Sequence, residues 1–362
     1  AGSHGKTTTS TFITTLLAKT NQDPTAVIGG LVPCYNSNSH VGKGELIVAE
    51  ADESDGSLVK FKADLGIITN LELDHTDHYK SLNDVIHTMK SFSKNCNQLL
   101  ANHDCPNVRK NIKASAWGSI KESKDVDFAA LPIKVDGQQT IADIYEQGLK
   151  VGQITLPVPG LHNLSNAIAA IAACRIHNIP FEFLQNNISH LKTPSRRFEF
   201  RGIWKGRQFF DDYAHHPTEV NATIKMARLM INNGNAQLHC SPQRLVTVFE
   251  PHRYSRINQF LKDFANALSK SDVIVLAPIF SAGEKPIKGI NNKYLATCIH
   301  EINPNIPLLT AETFEEVSKL LETHTKRGDL VISMGAGEIN KLWENLNNKQ
   351  PTIILQTQRL AA

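Results

Sequence analysis

The first eight residues, Ala1-Gly2-Ser3-His4-Gly5-Lys6-Thr7-Thr8, place glycines, a lysine and hydroxyls in the order expected of a phosphate-binding loop. Glycines let backbone N–H groups turn towards phosphate oxygens, Lys6 supplies a mobile positive charge, and Thr7 offers a hydroxyl to Mg²⁺. Residues 8–19 are a plausible helix whose N-terminal dipole would also face the anion. The pattern indicates nucleoside triphosphate chemistry. Because the two glycines are only three residues apart, a glycine turn that caps an ordinary helix is the alternative.

A phosphate-binding loop normally follows a buried β-strand. The sequence has no room for a strand before Gly2, and it does not begin with methionine. We therefore expect the chain to be a fragment that begins just before its first motif.

Acidic residues follow the short apolar run Leu46–Ala49, in the segment Glu50-Ala51-Asp52-Glu53-Ser54-Asp55. Ligands of doubly wound sheets bind at the carboxyl ends of strands. A carboxylate at the end of the strand after the phosphate loop is where an acid directed at Mg²⁺ is expected. We choose Glu50 because it comes first after the apolar run. The alternative is a solvated turn with helix-capping residues.

The second apolar run, Leu65–Thr69, leads into a segment that contains Asp74-His75-Thr76-Asp77-His78. This cluster has three interpretations: a transition-metal site, since imidazole suits zinc or iron, a hydrated loop, or a loop in which His75 binds a second Mg²⁺ beside the phosphates. The phosphate loop and Glu50 favour the third interpretation.

Asn163 and Asn166 lie three residues apart near the start of a predicted helix over 163–177 and therefore share a face. Two amides there could contact the edge of an adenine base, which offers both a donor and an acceptor. Simple helix capping is the alternative.

The second half of the chain contributes cationic and aromatic clusters. They are Arg196-Arg197-Phe198-Glu199, Asp211-Asp212-Tyr213-Ala214-His215-His216-Pro217 and Pro251-His252-Arg253-Tyr254-Ser255-Arg256. Arginine binds carboxylates or phosphates through two parallel hydrogen bonds, and Arg253 and Arg256 are predicted to share a helical face. Gly335-Ala336-Gly337 could form an anion nest, but a close-packing turn is the preferred interpretation.

Composition agrees with a cytoplasmic enzyme. The chain has 362 residues, of which 41% are hydrophobic and 20% charged, so it can bury a core of ordinary size. A net charge of +3 is too small to indicate a nucleic-acid partner. The apolar runs are too short to span a membrane, so membrane insertion is not expected. Six cysteines without C-x-x-C spacing are most simply free thiols.

Strands and helices alternate along most of the sequence, which predicts an α/β fold with mostly parallel sheets. Short β-like pieces fill residues 127–158, and a second alternating series begins near Arg196. We place a domain boundary in the polar stretch Lys192–Pro194. The predicted organisation is a phosphate-binding, ATPase-type domain over 1–192, a smaller Rossmann-like domain over 193–350 and a tail over 351–362.

Taken in order, these motifs resemble the Mur ligase family, which makes amide bonds on the peptidoglycan precursor with ATP. The resemblance covers almost the whole chain and is carried by the phosphate loop, residues 50–55, 74–77, 162–167, 197–199, 211–219 and 251–256, and Gly283-Glu284. The stretch around His215-His216-Pro217 points to the muramate-recognising branch. The family has three domains, so the resemblance also implies that an N-terminal UDP-binding domain is absent.

The resemblance implies an ATP-dependent acid–amino-acid ligase. Such an enzyme joins L-alanine to the carboxyl of UDP-N-acetylmuramate through an acyl phosphate and releases ADP and phosphate. That reaction serves cell-wall synthesis, and hence cell shape and division, in the cytoplasm. We expect a monomer or a weak homodimer. A nucleotide-binding fragment without ligase activity and the related muramate–tripeptide recycling ligase are the alternatives.

The resemblance also assigns roles to residues. The implied Mg²⁺ ligands are Thr7, Glu50 and His75. The implied catalytic residues are Lys6, Glu50, His75 and His215. The implied ATP-binding residues are Gly2, Ser3, His4, Gly5, Lys6, Thr7 and Thr8, with Asn163 and Asn166 at the adenine and Arg197 and Asp212 along the phosphates and ribose. The implied site for alanine and the muramoyl carboxyl is lined by Tyr213, His215, His252, Arg253 and Arg256.

Overall fold

The computed structural model describes residues 1–233 and 242–348, in which helices and strands alternate. The helices of the first half are α1 (Lys6–Lys19), α2 (Leu82–Lys94), α3 (Pro106–Asn111), α4 (Leu161–Ile176) and α5 (Phe181–Asn187). Its strands are β1 (Thr25–Val32), β2 (Ser37–His40), β3 (Ile47–Ala49), β4 (Ala63–Ile68), β5 (Cys96–Asn102), β6 (Ala116–Ser119), β7 (Phe128–Val135), β8 (Thr140–Glu146) and β9 (Leu149–Leu156).

The second half has the same alternation. Its helices are α6 (Pro217–Asn233), α7 (Tyr254–Leu268), α8 (Asn292–Ile302), α9 (Phe314–His324) and α10 (Leu342–Asn348). Its strands are β10 (Glu199–Trp204), β11 (Arg207–Asp212), β12 (Leu245–Phe249), β13 (Val273–Leu276), β14 (Leu308–Thr310) and β15 (Leu330–Met334). None of the helices in the described ranges is long and apolar enough to cross a lipid bilayer.

The first half contains two sheets. Six strands are ordered β4-β5-β6-β7-β8-β9, parallel from β4 to β7 and antiparallel from β7 to β9. Three more are ordered β2-β1-β3, with β1 antiparallel to β2 and parallel to β3. Strands β3 and β4 belong to different sheets, and both line a cavity of about 510 Å³. The all-apolar run 46–49 predicts a parallel strand that is buried on both faces, and this prediction is wrong: Ile47 is 72% exposed, and only the central Val48 of β3 is buried.

Helices α1 and α4 pack together in the core of the first half. Leu164, Ala167, Ile168 and Ile171 recur along α4 at the spacing of one helical face, which predicts that this face is buried, and all four are buried there. Phe12 and Leu16 of α1 join the same cluster. This packing fixes the N-terminus of α1, and hence the phosphate loop, relative to the asparagines of α4.

The second half is one six-stranded sheet ordered β10-β11-β15-β12-β13-β14, in which all pairs but β10–β11 are parallel. Strands β12, β13 and β15 are buried along their whole length, as expected of a sheet covered by helices on both faces. Their carboxyl ends, where Glu250 and Gly335 follow, lie at one edge of the sheet. The predicted α/β class with two parallel-rich units is confirmed.

Candidate active site

The phosphate loop is held against the end of β4. The amino group of Ala1 donates to the carbonyl oxygen of Ile67 at 2.9 Å, and the N–H of Thr69 donates to the carbonyl oxygen of Ala1 at 3.1 Å. Gly2 has a φ of +129° and a Cβ there would lie 2.2 Å from the Thr69 hydroxyl. Gly5, at φ +81°, forms the N-cap of α1. The predicted need for glycine at both positions therefore has a steric and a conformational cause.

Lys6 lies among carboxylates. Its Nζ donates to the carbonyl oxygen of Gly2 at 2.8 Å and to Glu53 at 3.0 Å, and lies 3.3 Å from Asp52. Burial would lower the pKa of Lys6, but the charges of Glu53 and Asp52 outweigh it and raise the pKa. Lys6 is therefore a fixed cation beside the loop. Its partner Glu53 is buried, and sequence reasoning gave it no role although it lies in the acidic run.

Thr7 and Glu50 meet as the sequence predicts for a shared cation. The Thr7 hydroxyl donates to Glu50 Oε1 at 2.9 Å, and Glu50 Oε2 accepts the N–H of Gly29 at 2.7 Å. A hydroxyl and a carboxylate are the oxygen donors that Mg²⁺ prefers. The donor set at this position therefore fits that ion.

His75 lies near the same carboxylates. Its Nε2 is 3.8 Å from Glu53 and 3.9 Å from Asp74, and its backbone has a φ of +51°. Ligand atoms of Asp52, Glu53 and His75 lie within 4.8 Å of one another. The structure thus brings His75 to the acidic run that follows β3, although the two segments are far apart in sequence.

A cavity of about 370 Å³ opens between the two halves beside the phosphate loop. Asn163 and Asn166 line it from α4, and Arg197 and Asp212 line it from the second half. Asn163 Nδ2 donates to the carbonyl oxygen of Pro159 at 2.9 Å, and Asn166 Oδ1 accepts the Thr9 hydroxyl at 3.2 Å. Both amides are therefore held in place by protein contacts while they face the cavity.

Arg197 and Asp212 approach the cavity with different charge environments. The Arg197 guanidinium lies 5.4 Å from the centre of the Tyr213 ring. Asp212 accepts N–H groups from Phe198 at 2.7 Å and Ala214 at 2.8 Å. Burial nevertheless raises the pKa of Asp212 to about 6, against the effect of Arg197. This carboxylate can therefore change charge near neutral pH.

His215 and His252 lie close together, with ring centres 5.5 Å apart. His215 Nδ1 lies 3.0 Å from the carbonyl oxygen of Tyr213, so it must donate there, and Nε2 is left as the acceptor. Burial lowers the pKa of His215 and, to about 3, that of His252. Both rings are therefore neutral near pH 7.

Arg253 and Arg256 do not share a helical face. Helix α7 begins at Tyr254, and Arg253 precedes it with a φ of +68°. Arg253 forms an ion pair with Asp77 at 2.7 Å, whereas Arg256 is buried and donates twice to Asp74, at 2.6 and 3.0 Å. The prediction of a common face is wrong because the chain turns before the helix starts, yet both arginines reach the loop that carries His75.

The Gly335–Gly337 turn is both close-packed and an anion nest. A Cβ on Gly337 would lie 2.4 Å from Phe280 Cγ. The N–H groups of Gly337 and Glu338 donate to the Glu250 carboxylate at 3.0 and 3.1 Å. The nest therefore holds the protein's own carboxylate, which the sequence interpretation did not foresee.

Comparison with known proteins agrees with this arrangement. A family model described as Mur ligase middle domain matches residues 1–174, and one described as Mur ligase, glutamate ligase domain, matches residues 196–337. The chain belongs to the Mur ligase family. The family resemblance drawn from the ordered motifs is thus confirmed.

Individual relatives agree with the family. The chain is 61% identical to the UDP-N-acetylmuramate–L-alanine ligase of Prochlorococcus marinus strain MIT 9313, a match that covers 96% of the chain and 71% of the relative. It is 59% identical to the enzyme of that name from Synechococcus sp. strain CC9311, over 96% of the chain and 72% of the relative.

Two solved structures share the Mur ligase fold. The UDP-N-acetylmuramate-alanine ligase of Thermotoga maritima has a TM-score of 0.78 at 22% identity, covering 96% of this chain and 73% of its own. A murein peptide ligase from Psychrobacter arcticus 273-4 has a TM-score of 0.68 at 21% identity, covering 96% and 75%. At these identities the likeness concerns the fold alone.

Proposed function

We propose that this chain is an ATP-dependent ligase that joins L-alanine to the carboxyl of UDP-N-acetylmuramate and releases ADP and phosphate. The observation that carries the proposal is the meeting of two sets of residues at one cavity. Gly5 and Thr8 of the phosphate loop and Asn166 of α4 line it from the first half, and Arg197 and Asp212 line it from the second half. The identity to L-alanine ligases supports this choice of substrates.

In the proposed reaction the substrate carboxylate attacks the γ-phosphate of ATP, which yields an acyl phosphate and ADP. The amine of L-alanine then attacks the acyl carbon, and phosphate leaves with the C–O bonding electrons. Lys6 compensates charge that builds up on the transferred group. After the attack the nitrogen carries a positive charge and must lose one proton to become the amide N–H. The neutral His215 ring offers Nε2 as the acceptor of that proton.

Thr7 and Glu50 are the residues proposed to hold Mg²⁺, and His75 with its neighbouring carboxylates is proposed to hold a second ion. When bound, Mg²⁺ neutralises charge on the phosphates. The hydroxyl–carboxylate pair at 2.9 Å and the convergence of Asp52, Glu53 and His75 support these positions.

Asn163 and Asn166 are proposed to contact adenine, and Arg197 and Asp212 to lie along the phosphates and ribose, because all four line one cavity. The loop residues Gly2–Thr8 are proposed to cradle the phosphates. Two loop residues have other contacts as well: His4 N–H donates to Asn70 Oδ1 at 2.8 Å, and Ser3 Oγ donates to the carbonyl oxygen of Glu72 at 3.0 Å.

The proposed site for alanine and the muramoyl carboxyl is lined by Tyr213, His215, His252, Arg253 and Arg256. Arg253 is the better supported of the two arginines as a carboxylate ligand, because its pair with Asp77 is half exposed. Arg256 is already bound to Asp74 and to His252 Nδ1 at 2.9 Å, so its proposed role depends on exchange of these partners.

The division into 1–192 and 193–350 also remains a proposal, supported by the change of sheet between β9 and β10. The predicted tail over 351–362 lies outside the described residues. A cytoplasmic location and a monomer or weak homodimer are proposed on the grounds of the family resemblance alone.

The test is phosphate release from Mg-ATP with UDP-N-acetylmuramate and L-alanine each present or omitted. Release that requires both substrates, and that Lys6→Ala abolishes, supports the proposal. Release with a tripeptide in place of L-alanine would favour the recycling ligase. Nucleotide binding without release in any mixture would favour a binding fragment and refute ligase activity of this chain.

A further inference from the structure

Glu219, in the first turn of α6, faces the phosphate loop across the gap between the halves. Its Oε1 lies 3.3 Å from His4 Nδ1, and both side chains are only 12% exposed. The other ring nitrogen of His4 lies 3.2 Å from Glu72 Oε2 in the first half. The imidazole is therefore held between two carboxylates, one from each half of the chain.

This arrangement fixes the charge of His4. Nε2 is hydrogen-bonded to Glu72, and Nδ1, which makes no hydrogen bond of good geometry, lies within ion-pair distance of Glu219. Two carboxylates so close to one buried ring favour the imidazolium. Burial opposes the charge, but the interactions with Glu219 and Glu72 outweigh it and raise the pKa of His4 to about 10. The His216 ring, 4.7 Å away, stays neutral because burial and the His4 charge lower its pKa to about 4.

Ligand atoms of His4, Glu72 and His216 lie within 4.8 Å of one another, a spacing that a metal ion could also use. The charges decide against an ion. His4 and Arg197, whose Nη1 lies 3.6 Å from Glu219, already balance the two carboxylates. A metal ion would have to displace the His4 proton and leave excess positive charge in a buried place.

The Glu219 carboxylate also fixes the turn that carries His215. Its Oε2 accepts the N–H of His215 at 3.1 Å and that of His216 at 3.4 Å, and lies 3.3 Å from His215 Nδ1. One carboxylate thus binds both the phosphate loop and the turn with the proposed proton acceptor.

We propose that Glu219 is a positioning residue that couples the phosphate loop to the His215 turn through its ion pair with His4. The catalytic part of this inference rests on the proposed ligase function, whereas the ion pair does not. When the halves meet, the ion pair fixes the distance between the phosphate loop and the His215 turn. If the pair is lost, the phosphates and the proton acceptor can each be bound, but no longer at a fixed separation.

The first experiment titrates the His4 ring by NMR in the wild type, Glu219→Gln and Glu315→Gln. The control removes one carboxylate charge from the first turn of another helix, α9, where Glu315 is exposed. We expect His4 to stay protonated beyond pH 8 in the wild type and the control, and to lose its proton at lower pH in Glu219→Gln. An unchanged His4 titration in Glu219→Gln overturns the proposal.

The second experiment measures kcat and KM for ATP in His4→Asn, Glu219→Gln and the double variant. Each single change is expected to lower kcat by about 10-fold or more, the size usual for lost outer-shell contacts. KM for ATP should change less, and the double variant should be no slower than the worse single one. Glu219→Asp, which keeps the charge, should recover part of the rate.

The NMR titration tests the His4–Glu219 ion pair, and the kinetic measurements test its effect on catalysis and the proposed ligase function. Multiplying effects in the double variant would overturn the coupling even if the NMR titration shifts. A shifted titration in a chain that releases no phosphate would support the ion pair and refute the ligase proposal, because the titration needs no turnover.

Discussion

The buried ion pair between Asp74 and Arg256 should contribute far more to stability than its exposed neighbour, Asp77 with Arg253. Both pairs join the loop after β4 to the start of α7. Asp74 and Arg256 are 4% and 3% exposed, with two N–H groups donating to one carboxylate oxygen. The exposed pair is similarly short, at 2.7 Å, but its side chains are 41% and 26% exposed.

Asp74→Asn removes the charge and keeps the size, so it leaves Arg256 buried without its counter-charge. Breaking a buried pair in this way costs about 3–5 kcal/mol. Asp77→Asn removes a pair that water screens, which costs at most about 1 kcal/mol. The double variant Asp74→Asn/Arg256→Met removes both buried charges and should recover a large part of the loss.

Urea unfolding followed by circular dichroism measures these differences. Because the pair joins the two halves, the loss should fall on the first transition if the halves unfold separately. The reasoning is refuted if Asp74→Asn and Asp77→Asn differ by less than about 0.5 kcal/mol, or if Arg256→Met adds its full effect to that of Asp74→Asn.

Three further changes test other parts of the structure. Glu50→Gln should raise the Mg²⁺ concentration for half-maximal phosphate release by about 10-fold or more, because it removes the charge next to the Thr7 hydroxyl; an unchanged Mg²⁺ titration would contradict this. Burial and the nearby His4 charge lower the pKa of His216 to about 4, so unfolding takes up a proton as the pH falls from about 6.5 to 4. Between pH 7 and pH 5, stability should therefore drop by about 2 kcal/mol more in the wild type than in His216→Asn, as measured by urea unfolding at both pH values; equal drops would contradict it. Gly337→Ala should cost about 1–3 kcal/mol in thermal unfolding, because its Cβ meets Phe280 and Glu250, whereas Gly118→Ala, which meets no atom within 4 Å, should cost less.

Strands and helices whose apolar residues form a clear pattern, with polar residues at both ends, were predictable from the sequence. The run Leu245-Val246-Thr247-Val248-Phe249 predicts a covered strand, because it is short, rich in β-branched residues and bounded by polar residues, and β12 occupies these residues. Strand β1 was missed, since Gly29 and Gly30 interrupt its apolar run. Helix α8 was missed as well: its first turn is polar, and Asn291, which caps it by accepting the N–H of Tyr294 at 2.8 Å, was not recognised as a helix start.

The candidate site was predictable as a set of motifs but not as a set of contacts. The pairing of Thr7 with Glu50 was predictable because functional residues that follow the carboxyl ends of parallel strands meet at one edge of the sheet. The partners Glu53 for Lys6 and Glu219 for His4 did not follow. Spacing along the chain carries no information about two side chains more than 200 residues apart, so only the docked halves reveal the second pair.

The polar character of the contact between the halves has a functional consequence. Among the described residues, the polar pairs that cross it include His4–Glu219, Glu72–Thr218, Glu72–His216, Asp74–Arg256 and Asp77–Arg253. When the halves meet, the attraction within a charged pair offsets little more than the free-energy cost of removing the two charges from water. Each pair nevertheless fixes the distance and direction between the two side chains. Such a contact defines the relative orientation of the two halves without holding them together strongly, as is usual between domains that move. A ligase that must admit ATP, a nucleotide-sugar and an amine needs that combination, because the site must open fully and still close to a single geometry.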